Sequence, residues 1–275
     1  MILFKFPYDF NLDTLTRLTD MLASYNARRC NTLGISSVYL PAFKEHCMSA
    51  RNDEANEHLP NSWQEYAEHI HAIKSYGYTP DVLFQEPHKT IDESIIQMYL
   101  DEGVRTFTVA EDDNARTIKR LCPEAYVIAS ITKVLAPNEI HALEDGLYDE
   151  VCLYFWYNRN LKTISSLPKQ MNYSVVINAW CSCTCESCHR HWFSKDRHTY
   201  ACEERDKTDR CGISDLHYFT PYIHTFKLQG RDYIDAAFIT FDLFLERLCA
   251  PSGNDEFSYG HYYELGAEFP KVRKY

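Results

Sequence analysis

The feature of this sequence that most limits its fold is a regular alternation of β-rich runs with amphipathic segments. Several of the β-rich runs are almost continuously apolar, as expected for parallel strands that are buried on both faces. A capped helical segment such as TIDESIIQMYLDEG, with a Thr90–Glu93 capping box and a stop at Gly103, separates neighbouring runs. The eight runs are ILFKFPY, SSVYLPA, PDVLFQE, VRTFTVA, AYVIASIT, EVCLYFWYN, YSVVINAW and IHTFKLQG.

The spacing of these runs predicts an α/β fold, a single (β/α)₈ TIM-like barrel. Units of roughly 25 to 35 residues, repeated along a chain of 275 residues, match the size of such a barrel, for which about 250 residues is typical. An open doubly wound sheet is the alternative fold. We predict that residues 1–250 form the barrel, that residues 180–222 form a long cysteine-rich loop between strands 7 and 8, and that residues 251–275 form a tail packing on the barrel.

The net charge, the apolar runs and the cysteine count indicate which partners and which cellular compartment to expect. The net charge of −11 makes nucleic acid an unfavourable partner, because binding phosphates requires basic surface. No long apolar run suggests a membrane span, and the N-terminus lacks the pattern of a signal peptide. The odd number of cysteines, eleven, argues against a disulfide framework. We therefore expect a cytoplasmic protein with reduced thiols and no membrane partner.

Six of the cysteines form one cluster in the sequence. From Cys181 to Cys211 their spacing is C-x-C-x-C-x2-C-x13-C-x8-C, within 31 residues. Metal binding is the most economical explanation for so many thiols in one predicted loop. Zinc would use the single C-x2-C pair formed by Cys185 and Cys188, whereas a [4Fe–4S] cluster would use four thiolates. A redox or catalytic cysteine is a third possibility, and the spacing leaves the three open.

Polar side chains follow several of the predicted strands. Because the carboxyl ends of barrel strands converge on one mouth, we expect these side chains to line it. A charged residue just past a strand is nevertheless more often a helix cap or a solvated loop residue than a catalytic group. The candidates are Asp9, Gln85, Glu86, Glu111, Lys133, Asn158, Arg159, Asn178, Lys227, Gln229 and Arg231.

The C-terminal third of the chain resembles the peptidase U-32 (collagenase-like protease) family. The resemblance covers roughly residues 173–235, and it lies in SVVINAWCSCTCESC, HRHWF and GISDLHYFTPYIHTFKLQGRD. The order and spacing of the motifs carry it, and no single motif is diagnostic. The matching positions are Asn178, Cys181, Cys188, His189 to Phe193, Asp215, Leu216, Tyr218, Phe226, Lys227, Gly230 and Arg231.

The resemblance implies a cofactor, because members such as the UbiU/UbiV-type iron–sulfur proteins hold a [4Fe–4S] cluster with four cysteines. Position by position, the ligands here would be Cys181, Cys188, Cys202 and Cys211. The sequence departs from the family pattern in its extra Cys183 and Cys185 and in the 13-residue interval before Cys202, so these two cysteines are alternates. Cys47 is a further alternate, because one branch of the family draws a ligand from the corresponding region.

The resemblance also implies candidate catalytic residues and a function. Lys227 and Arg231 match the late motif and suit a substrate carboxylate or phosphate, Arg231 bidentately. His189 and His191 are candidate acid–base groups or hydrogen-bond donors to a cluster. We expect an iron–sulfur enzyme that carries out an oxygen-independent, hydroxylation-type modification of a small anionic molecule. A collagenase-like peptidase and a metal-stabilised, non-catalytic partner subunit, with zinc as the alternative metal, are the competing functions.

Overall fold

A computed structural model describes residues 2–29, 33–47, 58–177, 219–228, 234–235, 237–239 and 241–242 of the chain. These residues form a closed barrel of eight parallel strands, in which each strand pairs with its neighbours in sequence order. The strands are β1 (Ile2–Pro7), β2 (Leu33–Pro41), β3 (Pro80–Phe84), β4 (Thr106–Val109), β5 (Tyr126–Ala129), β6 (Glu150–Leu153), β7 (Asn172–Val176) and β8 (Thr225–Lys227).

Helices lie between the strands and cover the outside of the barrel. In the described part of the chain, 3₁₀ turns at Ile131–Lys133 and Phe155–Arg159 follow β5 and β6. Each connection therefore returns the chain to the same end of the barrel, as parallel pairing requires. The α-helices are α1 (Leu12–Arg29), α2 (Trp63–Ser75), α3 (Glu93–Asp101), α4 (Asp112–Leu121), α5 (Pro137–His141) and α6 (Leu161–Ser166).

Pairing between the first and last strands closes the sheet. Leu3 of β1 pairs with Thr225 of β8, and Val176 of β7 pairs with Lys227. Each of the eight β-rich runs predicted from the sequence overlaps one of these strands, although β2 begins three residues and β7 one residue before the predicted run. The predicted single barrel is therefore confirmed, and the open doubly wound sheet is wrong because the sheet has no free edge.

The outer faces of the strands pack against the surrounding elements. Phe4 and Phe6 alternate with the inward-facing Lys5, and both are fully buried. Their rings contact aromatic residues that follow β8: Phe4 lies 5.0 Å from Phe241 and Phe6 lies 4.8 Å from Phe238, measured between ring centroids. Burial of each such side chain stabilises the fold by about 1.5–3 kcal/mol.

The third helix begins later than its capping motif predicts. The residue at its N-cap is Asp92, and α3 starts at Glu93, so the predicted Thr90–Glu93 capping box does not form. The stop at Gly103 is confirmed, because this residue adopts φ +78° just beyond the helix and its N–H donates to the Leu100 carbonyl at 2.9 Å.

Two predicted segments fall largely outside the described residues. The cysteine-rich loop between β7 and β8 is described only from residue 219 onward, and residues 251–275 are not described. The extent of the barrel domain and the packing of the tail therefore stay predictions.

Candidate active site

The interior of the barrel contains four charged side chains. Lys5, Asp81, Glu150 and Lys227 come from β1, β3, β6 and β8, and their exposed fractions are 2%, 0%, 2% and 6%. They occupy inward-facing positions because they alternate with apolar residues that face the helices. The interiors of such barrels are usually filled by branched apolar side chains, so this charge cluster is an unusual feature that marks the site. We call these four residues the interior charge cluster.

Lys5 and Glu150 form an ion pair across the barrel. Lys5 Nζ donates to Glu150 Oε1, and Tyr126 Oη donates to Glu150 Oε2 at 3.2 Å. Burial raises the pKa of Glu150, but the positive charge and hydrogen bond of Lys5 outweigh it, and the net pKa is lowered. Glu150 is therefore ionised at neutral pH and is held by its partner.

Asp81 has a different environment, although it lies in the same cluster. Both of its oxygens accept from the Thr108 hydroxyl, at 2.8 and 3.1 Å, and no ion pair of Asp81 occurs in the described residues. Burial raises the pKa of Asp81, against the opposing charges of Lys5 and Lys227. Two carboxyl groups in one barrel thus have pKa values pushed in opposite directions, an arrangement typical of functional sites.

Lys227 lies at the end of β8, beneath an aromatic ring. Its Nζ is 4.2 Å from the centroid of the Tyr39 ring, and the Tyr39 hydroxyl donates to the carbonyl of Leu228. The Tyr39 side chain therefore links β2 to β8 and gives the Lys227 ammonium a cation–π contact. The positive charge of Lys227 also lowers the pKa of Cys152, opposing the dominant effect of burial.

The backbone around Lys227 joins three strands at the carboxyl end of the barrel. The Ile177 N–H donates to the Lys227 carbonyl at 3.1 Å, and the Leu228 N–H donates to the Lys5 carbonyl at 3.0 Å. Ile177 is the last described residue before the predicted cysteine-rich loop of residues 180–222. Lys227 is therefore fixed beside the carboxyl end of β7.

Other polar residues predicted for the barrel mouth hold the loops together. The Asp9 carboxylate accepts from the Thr14 hydroxyl at 2.8 Å, and Lys133 Nζ donates to Asp112 at 2.9 Å. The Glu111 carboxylate accepts from the backbone N–H of His88 at 2.8 Å. These contacts agree with the prediction that a charge just past a strand is usually structural.

A groove of about 390 Å³ lies beside these loops, between the segments after β3, β4 and β5 and the helix α5. Its charged lining includes His88, Glu111, Asp112, Lys133 and Glu139. The groove lies at the carboxyl ends of β3 to β5, and no member of the interior charge cluster lines it.

Strained backbone conformations also mark this end. In the part of the chain that the structure describes, the non-glycine residues with positive φ are Phe10 at 62°, His88 at 58° and Val134 at 49°. They follow β1, β3 and β5, on the carboxyl side of the barrel in each case. Such conformations cost on the order of 1–3 kcal/mol each and are frequent at functional sites, so they support this end as the active face.

Cys47, an alternate metal ligand in the sequence analysis, lies in the loop after β2. It is 4% exposed, and burial raises the pKa of its thiol to about 11. Backbone hydrogen bonds from Glu86 and Gln85 act in the opposite direction. The thiol is therefore protonated at neutral pH in the absence of metal.

Most predicted site residues lie outside the described residues. These are Cys181, Cys183, Cys185, Cys188, Cys202, Cys211, His189, His191 and Arg231. Within the described ranges, no three His, Cys, Asp or Glu side chains are grouped so that they could hold a metal ion. Nor does any helix in those ranges have the length and apolar character to cross a membrane.

Sequence reasoning missed three members of the interior charge cluster, Lys5, Asp81 and Glu150. Their signal was present, because each charge falls within or at the start of an otherwise apolar run. In a parallel barrel both faces of a strand are buried, so a charge inside a strand must have a partner or a shifted pKa. Charges near strand starts resemble strand boundaries, which hid this signal.

Comparison with known proteins finds solved structures that are similar in fold but low in sequence identity. No family model and no curated protein matches the chain. The chain is similar to the U32 peptidase Mk0906, with 12% identity and a TM-score of 0.47, over 71% of this chain and 85% of that one. A variant of the citrate synthase SbnG gives 13% identity and a TM-score of 0.45, over 90% and 94%.

An HpcH/HpaI aldolase from Desulfitobacterium hafniense is also similar in fold. It shares 13% identity with a TM-score of 0.39, over 92% of this chain and 93% of that one. All three TM-scores lie below 0.5, so these likenesses assign neither a family nor an activity to the chain.

Proposed function

We propose that this chain is an iron–sulfur enzyme that modifies a small anionic molecule at the carboxyl end of its barrel, in an oxygen-independent, hydroxylation-type reaction. The proposal rests on the cysteine cluster and on the U-32 resemblance of residues 173–235. The closed barrel supports it, because enzymes of this fold build their active sites at the carboxyl ends of the strands.

One observation carries the proposal further than the sequence does. The Ile177 N–H donates to the Lys227 carbonyl, so the chain leaves β7 beside the buried lysine of the interior charge cluster. Cys181 follows Ile177 by four residues in the sequence. This arrangement supports, as part of the proposal, a site for an anionic substrate beside a cluster.

The chain has enough clustered thiols for the proposed cofactor. Following the U-32 resemblance, we propose Cys181, Cys188, Cys202 and Cys211 as the four ligands, with Cys183, Cys185 and Cys47 as alternates. When bound, such a cluster supplies electron transfer.

The chain's own residues would bind and orient the substrate. Lys227 provides a positive charge that Tyr39 holds in place, at a ring distance of 4.2 Å. Arg231, four residues further along, is proposed to bind a substrate carboxylate or phosphate through its planar guanidinium. His189 and His191 are proposed as proton donors or acceptors.

Anaerobic purification followed by iron, sulfide and zinc analysis tests this function. We expect iron and labile sulfide in a ratio that fits one [4Fe–4S] cluster, with broad visible absorbance. Alanine variants of Cys181, Cys188, Cys202 and Cys211 should lose both. Cys122→Ala is the matched control, because this buried thiol follows α4 at the amino end of the barrel.

The same experiment separates the alternatives. Loss of iron in the Cys183 or Cys185 variant would reassign the ligands within the segment. Stoichiometric zinc without labile sulfide would contradict the proposal and favour a zinc site built on Cys185 and Cys188. Iron retained in all four expected variants would contradict the ligand set.

A further inference from the structure

The carboxyl group of Asp81 has no ion-pair partner in the described residues, whereas the other carboxylate of the interior charge cluster, Glu150, is paired with Lys5. Lys5 is paired with Glu150, and Lys227 lies against Tyr39. Asp81 is 0% exposed, and within the described ranges its hydrogen-bond donor is the Thr108 hydroxyl, which both oxygens accept from. An ionised carboxylate that is buried with one neutral donor is costly, so this position favours a bound proton.

We infer that Asp81 is a positioning residue that binds and releases a proton in response to the charge present beside Lys227, so that binding of an anion at the carboxyl end of the barrel is coupled to proton uptake inside it. The inference rests on the proposed function for the identity of the anion, a small molecule with a carboxylate or a similar group. The inference goes beyond the proposed function, because it assigns a role to Asp81 and to the proton that Asp81 binds.

The groups that face Asp81 explain why the coupling runs through Lys227. Lys5 and Lys227 both favour the ionised form of Asp81, whereas Glu150 disfavours it. The effects of Lys5 and Glu150 oppose each other, because the two form a buried ion pair. Lys227, the other cation, lies at the end of β8 beside the carboxyl end of β7.

An anion beside Lys227 would therefore change the balance at Asp81. The negative charge of the anion would offset the positive charge of Lys227, and the ionised form of Asp81 would lose its remaining support. Asp81 would then take up a proton, or hold its proton to higher pH. By reciprocity, the anion would bind more tightly at a pH where Asp81 is protonated.

Infrared titration of the full chain, purified anaerobically and labelled with ¹³C at the Asp carboxyl groups, tests this inference without any ligand. At pH 6, exposed Asp side chains are ionised, since their pKa is about 3.9. We expect the wild type to keep a protonated-carboxyl band at pH values where exposed Asp side chains are already ionised, and Asp81→Asn to lack that band. Lys227→Met removes the positive charge that a bound anion would offset. In this variant the midpoint of the Asp81 titration should move up by about one pH unit or more.

Two further variants keep the test sharp. Lys227→Arg keeps the charge and should leave the midpoint near that of the wild type. Lys133→Met removes a lysine that pairs with Asp112 on the rim of the barrel, and it should leave the midpoint unchanged. If Lys227→Met does not fold, an upward shift in Lys227→Gln replaces it as the expected result.

An Asp81 band that disappears over the same pH range as the bands of exposed Asp side chains would overturn the inference. So would a midpoint that stays constant when the charge of Lys227 is removed, or one that moves equally in Lys133→Met. Metal content is measured separately on the same samples. If no iron–sulfur cluster is found, the Asp81 titration can still be interpreted. If the titration contradicts the role of Asp81, the metal assignment is not affected.

Discussion

Lys5 of β1 and Glu150 of β6 form a fully buried ion pair, although 145 residues separate them in the sequence. The pair crosses the barrel interior and ties the first strand to the sixth. A buried pair contributes little net stability relative to apolar packing, because desolvation offsets the attraction. Removing one of the two partners, however, leaves the charge of the other partner uncompensated in the core.

The first prediction concerns this pair. Lys5→Met should lower the free energy of unfolding by about 3–5 kcal/mol, because Glu150 would stay buried without its cation. Adding Glu150→Gln to this variant should recover a large part of the lost free energy of unfolding. Urea unfolding of the two single variants and the double variant measures the coupling.

The exposed pair Arg120–Glu93 provides the control for that cycle. Its closest N–O distance is 2.5 Å, but both side chains are more than half exposed, so Arg120→Met should change the free energy of unfolding very little. A Lys5→Met variant as stable as Arg120→Met would contradict the view that the interior pair is buried and ionised.

The second prediction concerns the pH dependence of stability. The pKa of Asp81 is raised in the folded protein, so the folded state binds more protons than the unfolded state above pH about 4. The contribution of Asp81 to stability is therefore fully present below its unfolded pKa and is lost as pH rises through its folded pKa. Asp81→Asn should remove this loss, which thermal unfolding between pH 4 and pH 9 would measure.

Asp113→Asn is the matched control for this series, because it removes an exposed carboxylate on α4, outside the barrel interior. An Asp81→Asn protein that loses stability with rising pH as steeply as the wild type would show that Asp81 titrates normally in the fold.

The strand order could be predicted from the sequence because the signal is local and repeated. Each predicted run needs only its own apolar residues to be recognised, and residues 2–8 or 80–86 are examples whose strands lie where expected. The closed barrel then follows from the number of units and from the handedness rule for parallel connections.

The interior charge cluster could not be predicted in the same way. Whether Lys5 meets Glu150, and whether Asp81 is left with Thr108, depends on the tilt of the strands and on their pairing register across the barrel. Such contacts join residues far apart in sequence. Lys227 was selected by its place at the end of the last predicted strand and by its motif, and the sequence gives no sign of its contact with the Tyr39 ring.

The third prediction concerns Cys47, whose buried thiol has a pKa of about 11. At pH 8 its thiolate fraction is roughly two orders of magnitude below that of an ordinary cysteine. In metal-free protein, alkylation at Cys47 should therefore be about 100-fold slower than in urea, as mass spectrometry of the modified peptides would show. Reaction at the same rate in both states would mean that the thiol is accessible and ionised.

The same residue also tests the ligand set. Cys47→Ala should keep the full iron content if the cluster is held by Cys181, Cys188, Cys202 and Cys211. Loss of iron in that variant would make Cys47 a ligand and displace one of the four.

The fourth prediction concerns Tyr39, which covers Lys227 and donates to the Leu228 carbonyl. Tyr39→Phe keeps the ring over the ammonium but removes the hydroxyl, so the free energy of unfolding should fall by about 1–2 kcal/mol. Tyr39→Leu should cost more, because the cation–π contact and part of the packing are also lost. Amide hydrogen exchange of peptides covering β8 should accelerate in both variants.

Tyr66→Phe is the matched control for the Tyr39 series. Tyr66 is also a buried tyrosine that donates to a backbone carbonyl, that of Pro41 at 2.7 Å, but it lies in α2 on the outside of the barrel. This variant should lose a similar amount of stability without faster exchange in β8, because the hydrogen bond that it removes does not involve that strand. If Tyr39→Phe and Tyr66→Phe change exchange in β8 equally, Tyr39 is an ordinary core residue and Lys227 is held in place by other contacts.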